Sequence, residues 1–257
     1  MEPNNITIIL LTANRVPENW AKFHKEKLLE AANGAPIITL SQKPMDWGIN
    51  ILQNAEYGIS NIYYQLLKGA KVAETEFIGV AEDDILYPKE HFEYRPTDDT
   101  FAYNMNRFNV FTWGKPTYFW KDRMGNSTLI APRKLTIEAL EERFAKYPNG
   151  TPYGITGELG RNNVEDKLGV TRRKSAWFTT ETSIIKIDHE FGIDRLARTH
   201  RKGMGILRSY DIPYWGKAED VVKKFISNFP FSRRARYRGV TTFFPSSFIK
   251  YYASEIF

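Results

Sequence analysis

The sequence predicts an α/β protein: a mostly parallel central sheet flanked by helices, a mixed second half and a C-terminal extension. Short continuous apolar runs at 6–11, 36–41 and 77–81 alternate with helical stripes. Uninterrupted apolar strands mark burial on both faces, and strands separated by helices require crossovers, hence a parallel sheet. The third run, "FIGVA", ends in three consecutive carboxylates, Glu82, Asp83 and Asp84. Ligands of open α/β sheets bind beyond the carboxyl ends of the strands, so the triplet lies where function is expected.

The first strand is "ITIILL", broken by "TANRVPEN", in which Pro17 suits the first turn of a helix. Trp20, Phe23, Lys27, Leu28 and Ala31 then trace a helical stripe that Asn33 and Gly34 stop. "PIITLS" reads as the second strand. A helix follows over 57–73, with Ile59, Ile62, Tyr63, Leu66 and Ala70 on one face. After Pro88, "TFAYNMNRFNVFTW", "NSTLIAP", "SAWFTT" and "SIIKID" read as strands, 133–147 as a helix and 148–163 as a Gly/Asn-rich loop. The expected organisation is one domain over 1–217, divided into a first half over 1–90 and a second over 91–217, with an extension over 218–257 that begins as a short amphipathic helix.

Composition excludes several chemistries. Without cysteine there are no disulfides, thiolate zinc sites or cysteine nucleophiles. Lys and Arg outnumber Asp and Glu by 36 to 30, an excess that favours anionic ligands without choosing among them. The N-terminal apolar run has no basic flank and, like every other segment, is too short to span a bilayer, which predicts a soluble, cytoplasmic protein with no transmembrane segment.

Three adjacent carboxylates repel one another and are costly to bury without a positive partner. One reading is structural, as helix caps or a solvated turn. The other is a hard divalent cation, Mn²⁺ or Mg²⁺, shared between one or two carboxylates and substrate phosphates.

The triplet, with "TANR" at the end of the first strand, resembles the nucleotide-binding half of a GT-A-fold glycosyltransferase, most of all the family-two inverting nucleotide-sugar transferases. The resemblance covers the first 90 residues and implies a GT-A-like (Rossmann-like) fold. Thr12, Asn14 and Arg15 match the family's first loop and Asn61 its helix Asn, and Glu82-Asp83-Asp84 stands for the Asp-x-Asp metal motif. It implies that Thr12, Asn14, Arg15, Ser41, Asn61 and Glu82 bind the nucleotide sugar, and that Asp84 with Asp83 holds the metal. Glu replaces the first Asp, and "SQKP" lacks the acidic residue many relatives use for the base.

Two further matches lie in the second half. Glu165-Asp166, two residues before Leu168, resembles the Glu-Asp-x-x-Leu pattern of the family's general base, which implies Asp166 as catalytic base with Glu165 orienting it or substituting for it. His189 follows a strand, as does a histidine of many relatives that approaches the metal. Glu158 and Glu181 are rival bases and His200 a rival ligand. Arg172, Arg173 and Lys174, and likewise Arg198, Arg201 and Lys202, are a diphosphate clamp or a solvated surface.

These residues imply an inverting transferase using a nucleotide-diphosphate sugar, with a glycan or lipid-linked glycan as acceptor. "SRRARYRG" (232–239), with arginines beside aromatics, raises hydroxylated bases in DNA as a second acceptor, or peripheral contact of the tail with an anionic surface. A nucleotidyltransferase usually has a Gly-rich phosphate loop that "LLTANRVPEN" lacks. A non-catalytic nucleic-acid-binding protein would leave the acidic strand end unexplained.

Overall fold

Apolar runs that need burial on both faces form the middle of the protein's larger sheet. The computed structural model describes residues 5–54, 58–112, 114–152, 155, 157–189 and 207–226. The first half runs β1 (Ile6–Leu11), α1 (Glu18–Ala32), β2 (Ile37–Ser41), β3 (Ile49–Leu52), α2 (Ile59–Val72) and β4 (Phe77–Glu82). Then come β5 (Ile85–Leu86), α3 (Lys89–Glu93), β6 (Thr100–Asn104), β7 (Arg107–Phe111), β8 (Tyr118–Trp120), β9 (Leu129–Pro132) and α4 (Arg133–Lys146). The rest is α5 (Asn162–Leu168), β10 (Lys174–Phe178), β11 (Ile184–Asp188), β12 (Arg208–Ser209), β13 (Asp211–Ile212), β14 (Gly216–Lys217) and α6 (Ala218–Phe225).

The larger sheet has the order β10-β6-β9-β4-β1-β2-β3. β3, β2, β1 and β4 pair in parallel, as do β6 and β10, and only β9 runs antiparallel to its neighbours. The mixed α/β, mostly parallel arrangement expected from the sequence is therefore present. β1 has β2 on one side and β4 on the other, so the strand order reverses there, and the crevice between their carboxyl ends is the switch point of the sheet.

The second sheet, β12-β8-β7-β11-β5, begins where the triplet ends. The chain leaves β4 at Glu82, turns through Asp83 and Asp84, and enters β5. The acidic triplet is the hinge between two sheets. Its apolar neighbours are covered by three clusters. One lies under α1, one packs α2 and α4 on the larger sheet, and one joins Trp20 and Leu86 to Val221, Val222 and Phe225 of α6.

Several local expectations differ from the structure. The stripe of α1 is completed by His24 rather than Lys27, because Trp20, His24, Leu28 and Ala31 share the buried face. Pro17 stands one position earlier than expected, as the N-cap. Within the stretch read as one strand region, residues 100–104 and 107–111 lie in two different sheets, β6 pairing with β9 and β7 with β8. β3 was not apparent in the sequence because it is an edge strand with Ile49 and Leu52 exposed. Residues 218–225, expected to open the extension, fold as α6 and bury Val221, Val222 and Phe225 in the third cluster. The "SRRARYRG" stretch and His200, with Arg198, Arg201 and Lys202, lie outside the described residues.

Candidate functional site

In-register pairing of β1 with β4 sets Leu11 beside Glu82, so Thr12 meets Asp83 one step beyond. The Thr12 hydroxyl donates to Asp83 Oδ2 and accepts from the Asn14 amide at 2.8 Å. Trp20, buried on α1, donates Nε1–H to the Asp83 carbonyl at 2.7 Å. The Tyr87 hydroxyl accepts from the Glu82 amide at 3.0 Å and donates to the Ser127 carbonyl at 2.9 Å. These bonds fix the strand tip from both sides.

The positive partner that three carboxylates require comes from β11. Lys186 Nζ lies 2.8 Å from Glu82 Oε2 and 3.3 Å from Asp84 Oδ2, and His189 Nε2 is 3.6 Å from the same Asp84 oxygen. β11 is held there by pairing Lys186 with Ile85 and by the Ile187 amide donating to the Asp84 carbonyl at 2.8 Å. Burial works against the charge of Asp84, but Lys186 and His189 prevail and hold its carboxyl below the ordinary range. Burial likewise opposes the Lys186 charge, and Asp84 and Glu82 overcome it and keep the ammonium protonated. Asp83 goes the other way: burial, reinforced by Asp84, pushes it up to about 7 against the Thr12 hydrogen bond.

Alternation along β7 and β11 puts Arg107, Asn109, Lys186 and Asp188 on one face and Phe108, Val110, Ile185 and Ile187 on the other. The apolar face belongs to the third cluster, which leaves the polar face toward the triplet. Burial raises Asp188, whose Oδ2 accepts from Asn109 Nδ2 at 3.0 Å. Asp84 Oδ1, Arg107 Nε and Asn109 Oδ1 are buried there without a hydrogen-bond partner. Buried polar groups are normally satisfied, so these three atoms have capacity left for water or a ligand.

The remaining first-half candidates hold the loops around the tip. Asn14 has φ 53°, and its side-chain oxygen accepts from the Gln42 and Lys43 amides, both at 2.9 Å, tying the first loop to the one after β2. Ser41 Oγ donates to the Lys43 carbonyl at 2.7 Å and accepts from Asn50 Nδ2 at 2.7 Å. Arg15 is exposed, and Asn61 is half-buried in the first turn of α2.

The Glu165-Asp166 pair sits in different surroundings. Asp166 makes a two-pronged pair with Arg172, at 2.5 and 2.6 Å, on the outer surface of α5. Glu165 is buried, and its two oxygens accept from the Gly160 amide at 3.0 Å and the Arg173 amide at 2.8 Å. The basic run beside it is neutralised too, Arg173 by Glu142 and Lys174 by Asp99. An open depression of about 520 Å³ lined by Thr100, Asn162, Arg172, Arg173 and Ser175 lies here, and none of the triplet borders it. Of the rival bases, Glu181 is exposed. Glu158 is buried, lies 3.1 Å from Arg161, and follows Gly157, whose carbonyl accepts from the Tyr63 hydroxyl at 2.8 Å. The structure thus brings Thr12, Asp83, Asp84, Glu82 and His189 together and turns Asp166 to Arg172.

No protein-family model and no curated protein matches the chain. Glycosyltransferases recur among the solved structures that resemble it. The mannosyltransferase PcManGT from Pyrobaculum calidifontis, in complex with GDP-Man and Mn²⁺, is 12% identical over 76% of this chain and 59% of its own, with a TM-score of 0.41. A glycosyltransferase involved in the glycosylation of the major capsid of PBCV-1 is 12% identical over 70% of this chain and 92% of its own, at 0.40. The bifunctional IspDF from Campylobacter jejuni is 12% identical over 68% of this chain and 50% of its own, at 0.36. The chain thus spans about half the length of IspDF, and 44% of the glycosyltransferase GlyE from Streptococcus pneumoniae. Similarity of this degree is silent on substrate and chemistry.

Sequence reasoning missed Lys186, Trp20, Tyr87 and Arg107. Lys186 left one signal: a cation two residues before Asp188 in the otherwise apolar "IIKID". A lysine inside a strand that must be buried needs a partner, and the triplet needed one as well. Among the described residues no three His, Asp or Glu side chains form a ready-made ion cage, and no helix is long and apolar enough to cross a membrane.

Proposed function

We propose that this protein is a glycosyltransferase that moves a sugar from a nucleotide-diphosphate donor to an acceptor hydroxyl, inverting the anomeric carbon, with Mn²⁺ or Mg²⁺ at Asp84 and Asp83. The observation that carries the reading is Asp84 at the switch point of the sheet, buried, with one oxygen lacking any partner. A hard cation of this kind takes one or two carboxylates and completes its shell with water and phosphate oxygens, so this donor set fits without a three-ligand cage. When bound, such an ion neutralises the diphosphate and stabilises it as a leaving group.

The chain's own residues divide the remaining work. Thr12 holds the Asp83 carboxyl, and Trp20 and Tyr87 hold the backbone at Asp83 and Glu82, so that the strand tip itself is preorganised. Asn14 and Ser41 shape the loops that would receive the nucleoside, with Arg15, Asn61 and Glu82 around it. A direct displacement needs one carboxylate to take the acceptor's proton. Both oxygens of Asp166 are held by Arg172, whereas Glu158 is buried with Arg161 on one oxygen, which favours Glu158 for that role. The acceptor in this reading is a glycan or lipid-linked glycan, and the basic 232–239 stretch supports DNA as the other class.

Calorimetry with UDP, GDP and their sugar conjugates, with and without Mn²⁺, tests the proposal. Metal-dependent binding of one nucleotide diphosphate is the expected result. Absence of binding across the panel, with metal present and the protein folded, overturns it. Binding of duplex DNA that weakens steeply with salt would select the nucleic-acid acceptor.

A further inference from the structure

Lys186 reaches from β11 into the triplet, 2.8 Å from Glu82 and 3.3 Å from Asp84, on the polar face it shares with Arg107 and Asn109. It therefore stands on one oxygen of Asp84 while the other, Oδ1, is buried and bonded to nothing. A divalent ion attracted to Asp84 would share that carboxylate with an ammonium. Like charges at such separations repel strongly where water is excluded. The lysine is the mobile member of the pair: its charge is compact, its four-carbon stem flexible, and its side chain about a quarter exposed. A diphosphate would offer it new oxygens beside the same strand tip.

We propose that Lys186 is a resident counter-ion that competes with a divalent ion for the Asp84 carboxylate and gives way only to a diphosphate. This deepens the transferase reading above and rests on it for the identity of the diphosphate. Ion and diphosphate then bind co-operatively, each raising the affinity for the other by the same factor. Without the diphosphate the lysine neutralises the triplet and keeps the ion weakly held. The triplet is thus neutralised without ligand and still receptive to one.

The test uses Mn²⁺ alone and inorganic pyrophosphate as probes, with bound Mn²⁺ followed by electron paramagnetic resonance. Lys186→Met should bind Mn²⁺ alone at least tenfold more tightly than the natural protein, and Lys186→Arg, which keeps the charge, should not. Pyrophosphate should tighten Mn²⁺ binding to the natural protein severalfold and do so much less in Lys186→Met. Equal or weaker Mn²⁺ binding by a folded Lys186→Met overturns the proposal. Should that variant fail to fold, the natural protein alone decides, because Mn²⁺ affinity indifferent to pyrophosphate has the same consequence. None of these measurements uses a sugar or a nucleotide. A correct Mn²⁺ pattern with no nucleotide-sugar binding would leave the counter-ion standing while the transferase reading falls.

Discussion

Glu82-Asp83-Asp84 and Glu165-Asp166 are both short carboxylate runs set beside apolar residues, yet their oxygens have different partners. At the strand tip one buried oxygen of Asp84 has no partner, and the other is shared by Lys186 and His189. On α5 the four oxygens are spoken for: both of Asp166 by Arg172, and those of Glu165 by the Gly160 and Arg173 amides. A carboxylate whose two oxygens both bond its own protein offers a ligand less. One that is buried and unfilled has capacity left for a ligand. What separates the two regions is the fate of their oxygens, and motif and charge alone do not report it.

The sharpest way to break that comparison is a pair of isosteric changes. Asp84→Asn should lower transfer by about a hundredfold or more with unchanged circular dichroism, while Asp166→Asn should alter it only a few-fold. Rates read with the donor identified by calorimetry decide it, and the opposite ranking would return the chemistry to α5. Glu158→Gln is next, with an expected loss of about a hundredfold in turnover and little change in nucleotide affinity. Full turnover in that variant removes Glu158 as the proton acceptor.

Glu165→Gln probes the structural half of the contrast. It weakens two buried, charge-assisted bonds to backbone amides, which should cost about 2 to 4 kcal/mol in urea unfolding. A loss of activity with no loss of stability would instead give Glu165 a chemical role.

The smallest effect concerns the support beneath the strand tip. His91 is buried, stacks on Tyr87 at 5.3 Å and on Phe178 at 5.9 Å, and neither ring nitrogen has a partner. Burial pulls its imidazole down from 6.5 to about 3. The unfolded chain therefore takes up this proton first, and His91 withdraws stability as the pH falls from 6.5 towards 3. Asp83 has the opposite sign: it is raised from 3.8 to about 7, so the folded state takes its proton first and gains stability as the pH falls across that window. His91→Leu should flatten the acid side of the stability curve in thermal melts at pH 4 to 7. An unchanged slope would show that the histidine does not contribute.

Much of the first half was legible in the sequence. Ile6–Leu11 is the first strand as read, β4 ends in the triplet, and α1 stops at Asn33, which takes the left-handed conformation with φ 48°. Those features are local, because continuous apolar runs and a left-handed cap announce themselves over a few residues. β3 and β5 were not legible, since a short edge strand and a two-residue strand carry no periodicity. Nor was the split of 100–111 between two sheets, which depends on what each piece pairs with.

From its amino acids alone the chain determines that a buried parallel sheet ends in three carboxylates, because hydrophobic patterning and charge are written residue by residue. Only the tertiary structure decides that Lys186, about a hundred residues downstream, neutralises them, that Asp84 keeps an oxygen free and that Asp166 turns to Arg172. Those outcomes depend on long-range strand pairing, and electrostatic energies depend on distance in space, which sequence spacing does not encode.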